Sequence, residues 1–189
     1  MTTISIIGGT GKEGKGLAFR WYRAGYDVII GSRSLEKAQT AVDAVEELVN
    51  DSEGSLLAAV NEDAAKAGEV VVLTVPYKFH SQMVEFLKPF LDGKILVDVT
   101  VPIVPPKVSK VQMPPEGSAA QQAQLILGDT ADVIAAFQNI SFENLLKNDV
   151  PECDILVCGR KKASRAIVLD LINNAGMVGW DAGYLENSV

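Results

Sequence analysis

Short apolar runs and longer amphipathic stretches alternate along most of the chain. Ile4-Ser5-Ile6-Ile7, Val28-Ile29-Ile30, Leu56-Leu57-Ala58-Ala59-Val60, Val70-Val71-Val72-Leu73-Thr74-Val75 and Ile95-Leu96-Val97 read as successive strands. Between them Lys15 to Arg23, Leu35 to Val49, Glu62 to Ala67 and Ser81 to Leu91 have helical composition, with Ser34 and Asn61 standing where N-caps belong. Strands alternating with crossover helices predict an α/β fold. The unbroken apolar run at Val70 predicts a strand covered on both faces, as in a parallel sheet.

The pattern then breaks. Pro102, Pro105, Pro106, Pro114 and Pro115 fall between Thr100 and Gly117, and proline lacks the N–H that a helix interior or central strand requires, so a long connection is expected. Beyond it come a helix over Ser118 to Leu127, apolar runs at Val133-Ile134-Ala135-Ala136-Phe137 and Ile155-Leu156-Val157, a helix from Lys161 to Asn174, and a short strand around Val178 to Trp180.

The most informative residues follow the first strand directly. Gly9, Gly11 and Gly14 of Gly8-Gly9-Thr10-Gly11-Lys12-Glu13-Gly14 fit G-x-G-x-x-G. In that pattern one glycine makes the tight turn, one lets backbone approach a pyrophosphate, and one lets the helix pack on the strand. The helix N-terminus adds free N–H groups and a positive dipole end. A strand before and a helix after the pattern predict a Rossmann-type dinucleotide site at Gly9, Thr10, Gly11, Lys12, Glu13 and Gly14. A P-loop is excluded, because Gly14-Lys15 is followed by Gly16 and not by Ser or Thr.

The second strand ends in Gly31-Ser32-Arg33-Ser34, where an NAD site usually places an acid against the ribose 2′-hydroxyl. No acid stands there. Ser32, Arg33 and Lys37 instead supply a hydroxyl and two cations, which favour a dianionic 2′-phosphate, and NADP is the expected cofactor. Ligands of open α/β sheets bind outside the carboxyl ends of the strands, so Val75 and Pro76 after the fourth strand, and Thr100, Val101 and Pro102 after the fifth, are expected to wall the cofactor. His80, the single histidine, lies close by in sequence and is a candidate contact, with a packing role as the alternative.

Composition narrows the field. The 189 residues carry 17 Lys and Arg against 24 Asp and Glu, a net charge of −7, which argues against a broad surface for nucleic acid or anionic lipid. No apolar stretch approaches the ~20 residues that span a bilayer, and Met1-Thr2-Thr3-Ile4 lacks a charged leader, so a cytoplasmic protein is expected. Cys153 and Cys158 flank an apolar run at opposite parity and read as buried small hydrophobes, not redox partners. Trp21 and Trp180 read as core or interface residues. With one histidine and no G-x-S-x-G, neither an HExxH zinc site nor a Ser-His-Asp triad is available, and no metal is expected. Arg160-Lys161-Lys162 is a local basic run that reads as a solvated face or an anion-docking patch. Hydride transfer needs neither nucleophile nor metal, so the shortage of such groups suits a reductase. The residues leave open an NADP-dependent reductase of another small substrate or a non-catalytic NADP-binding sensor.

Several stretches resemble the NADPH-dependent coenzyme F420 reductases. They are Ile6-Ile7-Gly8-Gly9-Thr10-Gly11 with Gly14-Lys15-Gly16-Leu17-Ala18, Gly31-Ser32-Arg33 with Lys37-Ala38, and Asn61-Glu62-Asp63-Ala64-Ala65 leading to Leu73-Thr74-Val75-Pro76. In the second half they are Gly117-Ser118-Ala119-Ala120, Val133-Ile134-Ala135-Ala136-Phe137-Gln138-Asn139-Ile140, Leu156-Val157-Cys158-Gly159 and Asp181-Ala182-Gly183 with Leu185-Glu186-Asn187. The resemblance implies that Thr10, Ser32, Arg33 and Lys37 bind NADP, and that the second half supplies a deazaflavin pocket with Gln138 and Asn139 beside the reacting rings. It also implies direct hydride transfer between nicotinamide C4 and deazaflavin C5 and a homodimer; no residue is assigned as acid or base. Some members have His at the position of Gln138, and members usually continue through further helix beyond the segment matching Leu185-Glu186-Asn187. The expected architecture is α/β: a Rossmann-type doubly wound, mostly parallel sheet with a small C-terminal αβ extension. Residues 1–101 form the NADP-binding core and residues 102–189 continue the sheet on the substrate side, within one compact domain.

Overall fold

The computed structural model describes residues 2–104, 106, 110–147, 149 and 151–189; Met1 of the leader reading and Pro105 of the proline-rich connection lie outside the described residues. In the first half, strands β1 (Thr3–Ile7), β2 (Asp27–Ser32), β3 (Leu56–Val60), β4 (Val70–Leu73) and β5 (Ile95–Asp98) alternate with helices α1 (Lys12–Arg23), α2 (Leu35–Glu46), α3 (Asn61–Ala67) and α4 (His80–Leu87). The second half contributes α5 (Ala119–Leu127), β6 (Asp132–Ala135), the single turn α6 (Phe142–Leu145), β7 (Asp154–Gly159), α7 (Lys162–Asn174) and β8 (Val178–Gly183). One eight-stranded sheet has the order β3-β2-β1-β4-β5-β6-β7-β8. Strands β1 to β6 run parallel, β7 is antiparallel to β6, and β8 is again parallel to β7.

Alternation along the strands divides the core between the two faces of the sheet. Ile4, Ile6, Val28, Ile30, Val70 and Val72 pack on the side of α1, α2 and α7. Ile7, Ile29, Val71 and Leu73 pack on the side of α3, α4 and α5. Strand β4 is buried at every position, as its unbroken apolar sequence predicts. The cysteines follow the same parity: Cys158 is buried on the α5 side, and the half-buried Cys153 packs against the opposite layer. Burial pushes both thiols up, so neither is a thiolate nucleophile at neutral pH.

Local chemistry explains where elements start and stop. Ser34 caps α2, its Oγ accepting the Lys37 N–H at 3.5 Å. Ser118 and Gln121 form a capping box on α5. Asn61 differs from its expected capping role: Val60 is the N-cap of α3 and Asn61 is its first residue, with its side chain committed elsewhere. Strand β4 ends at Leu73, two residues short of expectation: Thr74 still bonds the Ile7 carbonyl of β1 through its N–H and its Oγ1, and Val75-Pro76 lie outside the sheet. Helix α4 ends at Leu87, where Lys88–Phe90 tightens into a 3-10 turn containing Pro89.

The turn α6 was not legible in the pattern and is held from a distance. Buried Arg20 of α1 donates to the carbonyls of Asn144, Leu145, Lys147 and Asp149 at 2.6 to 3.0 Å. Trp21 is core and donates to the Leu171 carbonyl at 3.1 Å, whereas Trp180 on β8 is 57% exposed. Among the described residues no helix is long and apolar enough to cross a membrane.

Candidate active site

The glycine-rich turn is built by four glycines. Gly8 has φ of 71°, a left-handed conformation that favours glycine, and its N–H donates to Asn61 Oδ1 at 3.2 Å. Gly9 then makes the tight turn, its N–H lying 2.9 Å from the Gly31 carbonyl and 3.2 Å from that of Ile6. A Cβ on Gly14 would stand 2.5 Å from Gly9 Cα, so the third glycine of the pattern lets α1 close on the turn. Gly11 is different. The nearest heavy atom to a Cβ there lies 3.8 Å away, so its outer side faces open space at the N-cap of α1.

That open side belongs to a cleft of about 1040 Å³ at the carboxyl ends of the strands. From the turn, Thr10, Gly11, Lys12 and Glu13 line it; from the tip of β2 come Ser32 and Arg33, from the first turn of α2 comes Lys37, and from the tip of β4 come Val75 and Pro76. Gly9 and Gly14 lie behind this surface as packing residues. Ser32 is buried and receives the Ser34 N–H at 3.4 Å, which fixes the β2 tip. The Arg33 guanidinium lies 6.0 Å from the ring centroid of Phe79, in the 3-10 turn Tyr77–Phe79, and Phe79 and Phe86 form an exposed apolar wall of the cleft. Two carboxyls, Glu13 and Glu62, also line the cleft; burial pushes Glu13 up to about 7, and its Oε1 is buried without a hydrogen-bond partner.

Thr100, Val101 and Pro102 do not reach this cleft. They line a second cavity of about 230 Å³ together with Gln138 and Asn139, around Ser118 and Ala119 at the start of α5. The strand ends that contribute to the two hollows are neighbours, because β4 and β5 pair in the sheet, where adjacent strands stand about 4.8 Å apart. Phe137, at φ 73°, turns the chain sharply after β6, its ring buried edge-on to Trp21 at 5.7 Å. Beyond that turn Gln138 Nε2 donates to the Asp98 carbonyl at 2.8 Å, and Asn139 Nδ2 donates to the Asp154 carbonyl at 2.7 Å.

His80, expected at the cofactor, offers no surface to either hollow. It is fully buried, with Nε2 2.7 Å from Oδ2 of the equally buried Asp98. The basic run is also engaged: Arg160 pairs with Asp129 at 3.4 Å and Lys161 with Asp132 at 3.0 Å. The bond from Gly8 to Asn61, the burial of Asp98 and the Phe79–Phe86 wall are not legible in the sequence pattern. The Gly8-Gly9 pair was a signal for the positive φ, but nothing local marks the partners that long-range packing supplies.

A doubly wound sheet with a glycine-lined, cation-tipped cleft at its carboxyl edge defines a Rossmann-type nucleotide-binding α/β protein. Residues 3–102 match the family described as NADP oxidoreductase, coenzyme F420-dependent. The chain is 39% identical to the F420-dependent NADP reductase of Methanocaldococcus jannaschii, over 98% of this chain and 85% of that protein. It is 38% identical to the F420-dependent NADP reductase of Methanothermobacter thermautotrophicus, over 98% of this chain and 82% of that one. A Sinorhizobium meliloti protein described as hypothetical superposes with a TM-score of 0.82 at 26% identity, covering all of this chain and 88% of that one. An imine reductase of Bacillus cereus shares the fold with a TM-score of 0.72 at 18% identity, over 99% of this chain and 56% of that one. The chain belongs to the coenzyme F420-dependent NADP oxidoreductase family.

Proposed function

We propose that this protein is an oxidoreductase that transfers a hydride between NADPH and coenzyme F420. The observation that carries the reading is that neighbouring strand ends wall the two hollows in a chain related over nearly its whole length to F420-dependent NADP reductases. The cleft residues fit NADP. The open side of Gly11 admits close approach of a pyrophosphate to backbone N–H groups at the head of α1. Ser32, Arg33 and Lys37 hold the 2′-phosphate by charge-assisted hydrogen bonds, with no acid at the β2 tip to favour a 2′-hydroxyl.

NADPH, when bound, supplies the hydride. The protein's task is positioning and exclusion of water, so no residue is assigned as acid or base. Val75 and Pro76 wall the nicotinamide side of the cleft. Gln138 and Asn139 contact the deazaflavin in the second cavity, and the bond to the Asp98 carbonyl fixes the Gln138 amide. An amide does not titrate, so Gln138 orients by hydrogen bonding alone. Residues 1–101 thus act as the NADP half and residues 102–189 as the deazaflavin half.

The protein is proposed to work in the cytoplasm as a homodimer. Leu156, Val178 and Trp180 leave an exposed apolar row on β7 and β8, which supports a covering partner surface. Light scattering at increasing protein concentration tests this, and a monomer throughout rejects it.

The activity is tested by the visible absorbance of F420 mixed with protein and NADPH, with NADH and Arg33→Ala as controls. Bleaching with NADPH, much weaker bleaching with NADH, and loss of that preference in the variant are the expected results. Flat absorbance while NADPH still binds rejects the reductase reading in favour of a non-catalytic NADP-binding role.

A further inference from the structure

We propose that His80 and Asp98 form a buried positioning dyad that holds the α4 wall of the dinucleotide cleft in register with the second cavity. The inference rests on the hydride-transfer reading above. Both side chains are 0% exposed and lie 2.7 Å apart. A carboxylate at Asp98 only accepts hydrogen bonds, so His80 Nε2 is the donating nitrogen of the pair; Nδ1 is buried without a hydrogen-bond partner.

Asp98 joins the two hollows through separate atoms. Oδ2 takes His80, the first residue of α4; Phe79 immediately before it, and Gln82 and Met83 after it, line the dinucleotide cleft. Oδ1 takes the Thr100 N–H at 3.0 Å and so sets the β5 tip that walls the second cavity. Its backbone carbonyl takes the Gln138 amide at 2.8 Å. One residue at the end of β5 therefore fixes a wall of each hollow and a candidate contact to the second ligand. A packing role alone needs neither a buried carboxylate nor a histidine, since an apolar pair fills such a site without the desolvation cost.

The dyad touches neither ligand, so its effect falls on the step that needs both rings placed together. His80→Gln keeps an N–H donor near the position of Nε2, and His80→Leu removes it. Expected for His80→Leu is a kcat at least ~10-fold below wild type with the NADPH dissociation constant within ~3-fold, and for His80→Gln a kcat within ~3-fold of wild type. Wild-type kcat in His80→Leu overturns the inference, as does an equal loss in both variants. If His80→Leu fails to fold, Asp98→Asn serves: it keeps the shape but turns one of the two accepting oxygens into a donor, so the His80 and Thr100 bonds cannot both persist as they are, and kcat should fall ~3- to 10-fold with NADPH affinity retained. An unchanged kcat there overturns the inference equally.

Hydrogen exchange separates this inference from the activity. Saturating NADP should slow exchange at Thr100 and Val101 in wild type and His80→Gln but not in His80→Leu, whereas slowing at Thr10 to Glu13 persists in all three. Slowing at Thr100 that survives in His80→Leu, or is missing in wild type, overturns the dyad. A wild-type enzyme that shows the slowing but bleaches no F420 sinks the hydride-transfer reading instead.

Discussion

Gly9 Cα occupies the place that a side chain on Gly14 would need, with only 2.5 Å between them. The obstacle is backbone, which cannot swing aside as a flexible side chain does. Gly14→Ala should therefore displace the turn, cost about 1–3 kcal/mol of stability as overpacking does, and weaken NADPH binding at least ~10-fold. Thermal denaturation and NADPH titration check both parts. A variant with wild-type affinity contradicts the assigned role of the third glycine.

Arg33 is placed to meet a 2′-phosphate that NADH lacks. Arg33→Ala should lose about 1.5–3 kcal/mol of NADPH binding, roughly 10- to 100-fold in affinity, and leave NADH binding nearly unchanged. Parallel fluorescence titrations with the two dinucleotides measure the difference. An equal loss for both would assign Arg33 to adenine stacking beside Phe79.

Glu13 gives stability a pH dependence of known sign. Its carboxyl is raised to about 7 in the folded protein, against an ordinary value of 4.5, by burial. The folded state thus keeps a proton that the unfolded chain releases. The associated stability is fully present below the unfolded pKa, declines as pH rises from about 4.5 to about 7, and is absent above. Glu13→Gln removes the dependence, so its melting temperature should pull ahead of wild type by a few degrees between pH 5 and pH 8. A constant gap across that range rejects the assignment. In the same cleft the negative pyrophosphate favours the neutral acid, and NADH affinity should fall over this interval in wild type but not in the variant; NADH avoids the 2′-phosphate's own titration near pH ~6.

Asn61 holds the Gly8 N–H at the point where the chain takes its positive φ. Asn61→Ala leaves that donor without its partner and should cost about 1–3 kcal/mol of stability, with NADPH affinity reduced several-fold. Asn61→Asp preserves an acceptor at the same distance and should recover most of the stability. Failure of the aspartate to recover any would show that the Asn61 amide contributes through contacts other than Gly8.

Much of this site was legible because its parts are local. Gly9, Gly11 and Gly14 fall at the G-x-G-x-x-G spacing with an apolar run directly before and an amphipathic stretch directly after, and Ser32, Arg33 and Lys37 lie within six residues of one another from the end of the second apolar run. The same locality misled at Asn61, whose residue type and position suit an N-cap but whose side chain is taken by Gly8, 53 residues earlier. His80 was placed near the cofactor by proximity in sequence, and Thr100, Val101 and Pro102, which follow the fifth strand as expected, line the second cavity beside Gln138 and not the dinucleotide cleft.

The sequence by itself determined the alternation of strands and helices, the glycine turn, and the cations at the β2 tip, since each depends on backbone sterics and side-chain period over a few residues. Only the tertiary structure decided the antiparallel seventh strand, the wall of Phe79 and Phe86, and the burial of His80 against Asp98. Those relationships form between residues that meet when separate elements pack on the sheet. A buried carboxylate chooses its partner by desolvation and geometry, not by distance along the chain.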